Sequence, residues 1–339
     1  MRRRGSDMIA IALVGLALLA GLGSRPAGAQ DRISFALDWI AYGKHAMFYV
    51  PVERGLYSEQ GLQVTVLRGY GSGDTVKRVA AGTELFGFAD TGALVVARSR
   101  GVKVKTLAMI HDKGMHSLIT LKGSGITKPK DLEGRALGGS VGGAIETIFP
   151  AFAALNGVDA SKVKWIWMDA AAIIPSLMAG RIDAGVGFAT EHPTARAAAA
   201  KAGKEISAVF YGDWGLDIYS NGIVAQDRTV QERPDLVRRF VQATMRGVAW
   251  TVEHPDEATD IFVKHHPAVS RDLARAHLGI AIDHLLTPVA LSQGIGFMTR
   301  EKMDKTVEII ARYMKLPSRP PTEELYSNEF LPKLFPKRR

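Results

Sequence analysis

A chain of 339 residues, 47% hydrophobic and 23% charged, can bury a sizeable core and is long enough for two lobes rather than one. It contains no cysteine, which excludes disulfides, a thiol nucleophile and the lipid anchor of a bacterial lipoprotein. Of its formal charge of +9, the first 29 residues carry three (four arginines against one aspartate). The remaining +6 is mild and interspersed with acids, unlike the clustered bases of a nucleic-acid binder.

The N-terminus reads as an export signal over 1–29. Arg2, Arg3 and Arg4 precede an apolar run at 8–22, and the small-residue stretch Ala27-Gly28-Ala29 predicts cleavage before Gln30. The run is shorter than the ~20 residues of a spanning helix, so the expected product is free in the periplasm. From Ile33 onward, short β-rich runs alternate with helical stretches, the pattern of an α/β protein with mostly parallel sheets. Strand-like runs lie at 33–37, 62–67, 85–89, 102–110, 117–121, 163–168, 182–188, 207–210 and 221–225, and helices are predicted at 46–54, 74–81, 93–99, 144–155 and 193–202. After about 225 the strand signal vanishes. Helices at 234–253, 256–265, 271–285 and 300–313 follow, punctuated by Pro234, Pro255, Pro267 and Pro288, and a tail rich in Pro and Lys reads as loosely packed.

Two glycine-rich stretches, GYGSGDT at 69–75 and GGSVGGA at 138–144, each follow a strand and open a helix. Glycine admits close backbone approach, and the helix N-terminus behind it offers unpaired N–H groups. Neither stretch is a Walker loop or a full dinucleotide fingerprint, and either alone is explained by a tight turn. Each could cradle a polar or anionic group, and one in each half predicts two facing surfaces, with Gly71, Ser72, Gly73 and Gly142 as candidate ligand contacts. Rings gather where strands end, at Trp39, Tyr42, Tyr70, Phe88, Phe188 and Tyr219, the end of the sheet at which α/β proteins bind ligands. Acids accompany them: Asp38, Asp90, Glu146, Glu191 and Asp217. Carboxylates accept from amines and repel small anions. Read as a carboxylate, Glu191 would lose its hold on an amine when replaced by Gln. Catalytic signatures are missing: there is no G-x-S-x-G, no H-E-x-x-H and no Cys. Adjacent His265 and His266 point about 100° apart on a helix, so no metal site is assigned. His45 lies among the rings, while His111 and His116 have no evident role.

The stretches ALDW, HAMFYVPVERGLYSEQGLQV, VAAGTELFGFAD, LKGSGITKPKDLEGRALG, AGRIDAGVGF, YSNGIVA and RPDLVRRFVQATMRG together resemble the periplasmic substrate-binding proteins of the nitrate, sulfonate and thiamine-pyrimidine-precursor family. The pyrimidine-precursor branch is the most similar, and it also includes fungal pyrimidine synthases. The resemblance implies a type II binding-protein fold with lobe one at 30–117 and 222–339, lobe two at 118–221, chain crossings near 116–121 and 219–225, and C-terminal helices packed on lobe one. It implies hinge closure on a small solute, delivery to an ABC permease in the inner membrane, and a monomer with neither cofactor nor nucleic-acid partner. The candidate ligand set from the residues is Asp38, Trp39, Tyr42, His45, Gly71, Ser72, Gly73, Asp90, Gly142, Glu146, Phe188, Glu191 and Tyr219, and the resemblance implies Trp39 and Tyr42 on lobe one facing Phe188 and Glu191 on lobe two. Relatives carry Trp-x-Pro-Asn after the first strand where this chain has DWIAYGKH. Nitrate, taurine or alkanesulfonates are the alternative ligands, but an aromatic, acidic pocket favours a flat, nitrogen-rich heterocycle. The synthases use a cysteine-rich motif and a pyridoxal phosphate lysine near the segment matching GFADTG. This chain has no Cys, and Ala89 and Asp90 stand in that segment.

Overall fold

The computed structural model describes residues 30–335; the segment read as an export signal lies outside them. The chain begins with β1 (Asp31–Ala36), α1 (Ala46–Glu53), β2 (Leu62–Leu67), α2 (Ser72–Ala80), β3 (Phe86–Asp90), α3 (Thr91–Arg98) and β4 (Val104–Met109). It crosses at 110–115 into β5 (His116–Leu121), β6 (Ala136–Gly139), α4 (Ala144–Leu155), β7 (Lys164–Trp167), α5 (Ala170–Met178), β8 (Ala184–Phe188), α6 (His192–Lys201) and β9 (Ile206–Phe210). It returns at 211–220 into β10 (Asn221–Gln226), followed by α7 (Asp227–Glu232), α8 (Pro234–Glu253), α9 (Pro255–His265), α10 (Arg271–Leu285), α11 (Pro288–Gln293) and α12 (Arg300–Met314).

Two five-stranded sheets result, ordered β2-β1-β3-β10-β4 and β7-β6-β8-β5-β9. They are mixed, not mostly parallel as expected. β10 runs antiparallel to both β3 and β4, and β5 runs antiparallel to both β8 and β9. The reason lies in connectivity: β5 and β10 arrive straight from the other sheet, without the helical crossover that parallel neighbours in sequence require. The segments expected as crossings, 116–121 and 219–225, are therefore mostly strand. The connecting segments beside them pair with each other: the Ile110 and His111 amides donate to Asn221 O, and Ser220 N donates to His111 O.

Helices cover both faces of the first sheet, which is why β3 is buried along its whole length. Phe240 of α8 stacks on Phe86 at 3.9 Å between centroids and meets Phe35 of β1 at 5.6 Å. In the second sheet's core, Phe152 of α4 stacks on Tyr211 at 3.9 Å. The C-terminal helices α8 and α9 pack against α1, whereas α12 lies against both α3 and α4 and so spans the two lobes. The tail is docked, contrary to the expectation of loose packing. Thr106 N donates to Leu325 O, Ser327 N donates to Thr106 O, and Leu325 and Phe330 are buried.

Candidate functional site

Between the lobes lies a small, narrow cavity, lined by Asp38, Trp39 and Ser72 from the first lobe and by Gly143, Ala144, Ile145, Glu146, Val186, Gly187, Phe188 and Glu191 from the second. Each side reaches it from the end of a strand or the first turn of a helix. Asp38 and Trp39 follow β1, Ser72 opens α2, Glu146 sits in the first turn of α4, and Phe188 and Glu191 end β8 and the short turn after it.

The lobes are in contact around this cavity. Gly73 N donates to Gly142 O at 2.9 Å, joining the two glycine-rich loops backbone to backbone. A Cβ on Gly71, whose φ is 133°, would lie 2.4 Å from Gly142 O, so the approach requires glycine. A Cβ on Gly69 would lie 2.1 Å from Leu37 O, so the same loop is laid against the end of β1 beside Trp39. Lys44 Nζ stands 4.8 Å from the centroid of the Phe188 ring across the gap. His277 of α10 bridges as well: Gly43 N donates to its Nδ1 at 3.3 Å, which leaves the proton on Nε2 to donate to Thr194 Oγ1 of α6 at 2.8 Å. Arg68 and Asp169 pair at 3.0 Å on the rim.

Behind the cavity wall Asp38 is fully engaged. Its Oδ2 accepts from Lys44 Nζ at 2.7 Å and Asn221 Nδ2 at 2.8 Å, and its Oδ1 accepts from His45 Nε2 at 2.7 Å. The short helical turn Gly43–His45 folds Lys44 and His45 back onto it. His45 Nδ1 accepts from Tyr42 N, which fixes the tautomer that donates to Asp38. Burial alone would raise the Asp38 carboxyl; the Lys44 charge and the His45 hydrogen bond outweigh it and hold the group well below the usual carboxylate range. Burial lowers His45 to about 4, so the network holds one negative and one positive charge.

The two carboxyls facing from the second lobe have no such cation. Glu191, only 6% exposed, is pushed up to about 8, chiefly by burial and further by the Asp38 and Glu146 charges, against the Lys44 charge and the Phe188 backbone amide. Burial pushes Glu146 up to about 7, although its Oε1 accepts from Ser140 N. A Cβ on Gly143 would collide with the Glu146 carboxyl, which explains the glycine there.

Of the residues expected to bind, Asp38, Trp39, Ser72, Glu146, Phe188 and Glu191 line the cavity. Gly71, Gly73 and Gly142 form the contact between the lobes instead. Tyr42 is half-buried beside the cavity, edge-on to His277, and His45 stands behind Asp38. Asp90 and Tyr219 are not among the lining residues. Asp90 caps α3 through Ala93 N and holds His116 Nε2 at 2.7 Å, while the Tyr219 hydroxyl accepts from Thr299 N below α12. Gly143 and Ala144 belong to the glycine-rich stretch at 138–144; Ile145, Val186 and Gly187 were not anticipated, having no polar side chain to mark them. His265 pairs with Glu53 and His266 with the Tyr49 hydroxyl, while both ring nitrogens of buried His111 lack a partner among the described residues. No group of His, Cys, Asp and Glu suited to a metal ion occurs among the described residues.

The profile of the NMT1/THI5 like family matches residues 43–258. The chain belongs to this family. It is 23% identical over 312 residues to the riboflavin-binding protein RibY of Chloroflexus aurantiacus, covering 89% of this chain and 86% of that one. It is 24% identical to the 4-amino-5-hydroxymethyl-2-methylpyrimidine phosphate synthase of Legionella pneumophila, covering 89% and 93%. Among solved structures, the alkanesulfonate-binding protein SsuA of Xanthomonas axonopodis pv. citri, bound to MOPS, superposes with a TM-score of 0.67 at 10% identity over 88% of this chain and 98% of that one. The fold is that of the periplasmic binding proteins, and the relatives include both a protein named as a binder and one named as a synthase. The residues here do not fit an imine-linked pyridoxal phosphate at the position the synthases imply. β3 reads FGFAD without a lysine, and the nearby Lys44 ammonium is committed to Asp38. Among the described residues no helix is long and apolar enough to cross a membrane.

Proposed function

We propose that this chain is the exported solute-binding component of an ABC importer, and that it closes its lobes on a small, flat, nitrogen-rich heteroaromatic compound and delivers it to a permease as a monomer. The observation that carries this reading is the pair of rings from opposite lobes, Trp39 and Phe188, sharing a small cavity with Asp38, Glu146 and Glu191 and with no Lys or Arg among its lining residues. Rings grip a planar solute by stacking, the carboxyls offer acceptors to ring amines, and no lining Lys or Arg is present to hold nitrate or a sulfonate. The names of the two relatives, one a riboflavin binder and one a pyrimidine synthase, lie on the heteroaromatic side.

A thermal-shift panel on the chain from Gln30 tests this, since a ligand that binds only the folded form raises its melting temperature. Aminopyrimidines should raise it and be recovered unchanged. A rise with taurine or nitrate alone overturns the ligand class, and conversion of a bound compound overturns the binding role.

A further inference from the structure

Of the two carboxyls on the cavity wall that pair with no cation, Glu146 and Glu191, only Glu191 is buried as a whole residue. Asp38 is spent on Lys44, His45 and Asn221, and the Glu146 carboxyl accepts from the Ser140 amide at the start of α4. The groups that face Glu191 do not supply a spare positive charge. The Gly43–His45 turn brings Lys44, already matched by Asp38, with Tyr42 beside it. From α4 comes Glu146, of like sign. From α10 comes His277 and from α6 His192, both lowered to about 4 by burial and therefore neutral, with Arg196 further along α6. A carboxyl closed into such a place is stable only with its proton on.

We propose that Glu191 takes up a proton as the lobes close and meets the ligand as a carboxylic acid, its hydroxyl donating to a ring nitrogen and its carbonyl accepting from an adjacent exocyclic amine. Such a group is complementary to neutral amino-substituted heteroaromatics and discriminates against amidinium-like cations, which need a carboxylate. The inference rests on the heteroaromatic reading above and adds a proton to it. It also changes the expectation for Gln at this position. A primary amide offers the same donor and acceptor edge as a protonated acid, so Glu191→Gln should retain the ligand rather than release it.

The sign of the linkage follows from the two states. In the open form the carboxyl is hydrated and titrates near its ordinary value of 4.5, while in the closed form it is pushed up to about 8. Between these values closure binds a proton, so affinity falls as pH rises, by up to roughly tenfold per pH unit.

The test is calorimetry at pH 7 with 4-amino-2-methylpyrimidine, in phosphate and in Tris, whose different ionisation heats report protons exchanged. The expected result is net uptake approaching about one proton per ligand. In Glu191→Gln the uptake falls by close to that amount at retained affinity, with any remainder belonging to Glu146. Binding without uptake, or a Glu191→Gln variant that keeps its circular dichroism but binds more than tenfold more weakly, overturns the protonated state and leaves the heteroaromatic reading standing. Binding of taurine in place of the aminopyrimidine, or of neither compound, removes that reading and this inference with it.

Discussion

At the level of single residues, Trp39 and Asp38 are neighbours with opposite duties. Trp39 lines the cavity with only 8% of its surface exposed, so it is shielded from bulk water. Trp39→Ala should cost stacking of ~1–3 kcal/mol, a tenfold to more than hundredfold loss in affinity by calorimetry, with little change in the closed shape. Asp38→Asn should instead act on stability, because it leaves the fully buried Lys44 ammonium without its counter-charge. A loss of about 3–5 kcal/mol in chemical denaturation is expected, largely recovered when Lys44→Met is added, since the pair is then removed together. This division was only half legible in the sequence. Both residues stand where a strand ends, and that position marks them for the site. Lys44 and His45 are six and seven residues beyond Asp38, a spacing that belongs to no regular element. Only the Gly43–His45 turn brings them back, so Asp38 looked available when it is taken.

At the level of elements, the strongest periodic patterns were the most readable. α4, α8 and α10 begin and end where the sequence placed them, bounded by Gly143, by Pro234 at the first turn and by the Ser270 side chain that caps Leu273 N. β6 was not singled out, and α5 was not given bounds of its own. The first is ALGG, two of whose four residues lack side chains to show alternation, and the second is an alanine-rich run with Pro175 inside it. The antiparallel placing of β5 and β10 was equally invisible, because it is decided by which lobe the chain arrives from and not by any residue in the strand. The glycine-rich loops were legible as turns, but their meeting was not. That meeting yields a direct test. Gly71→Ala places a methyl against Gly142 O and should block closure, raising the apparent Kd and leaving small-angle scattering with saturating ligand at the open dimensions. Gly101→Ala is the control: its φ of 88° also strains an L residue, but its Cβ meets nothing within 4 Å. If both variants bind alike, the loop contact does not govern closure.

At the scale of the whole molecule, two sets of buried groups pull stability in opposite directions with pH. His45, His192 and His277 are each lowered to about 4 from 6.5, chiefly by burial. Between those values the unfolded chain binds more protons than the native one, so stability is lost as pH falls from 6.5 toward 4. Asp38, held low by Lys44, adds to the loss at the acid end. Glu146 and Glu191 are raised from 4.5 to about 7 and about 8. There the native form holds the extra protons, so their contribution is complete below 4.5 and is lost as pH rises through 7 and 8. The histidines outnumber the glutamates below their own ordinary value and fall silent above it, which places the maximum near about pH 6.5. Melting curves from pH 4.5 to 9 with saturating 4-amino-2-methylpyrimidine, which holds the lobes closed, should therefore trace a dome, falling on the alkaline side well before any lysine or tyrosine titrates. Glu191→Gln should flatten that alkaline fall and move the maximum upward, because the amide has no proton to lose. A wild-type Tm that climbs steadily from pH 6.5 to 8.5 would mean that the two carboxyls are ionised in the closed cleft, and an ionised pair there would select a cation.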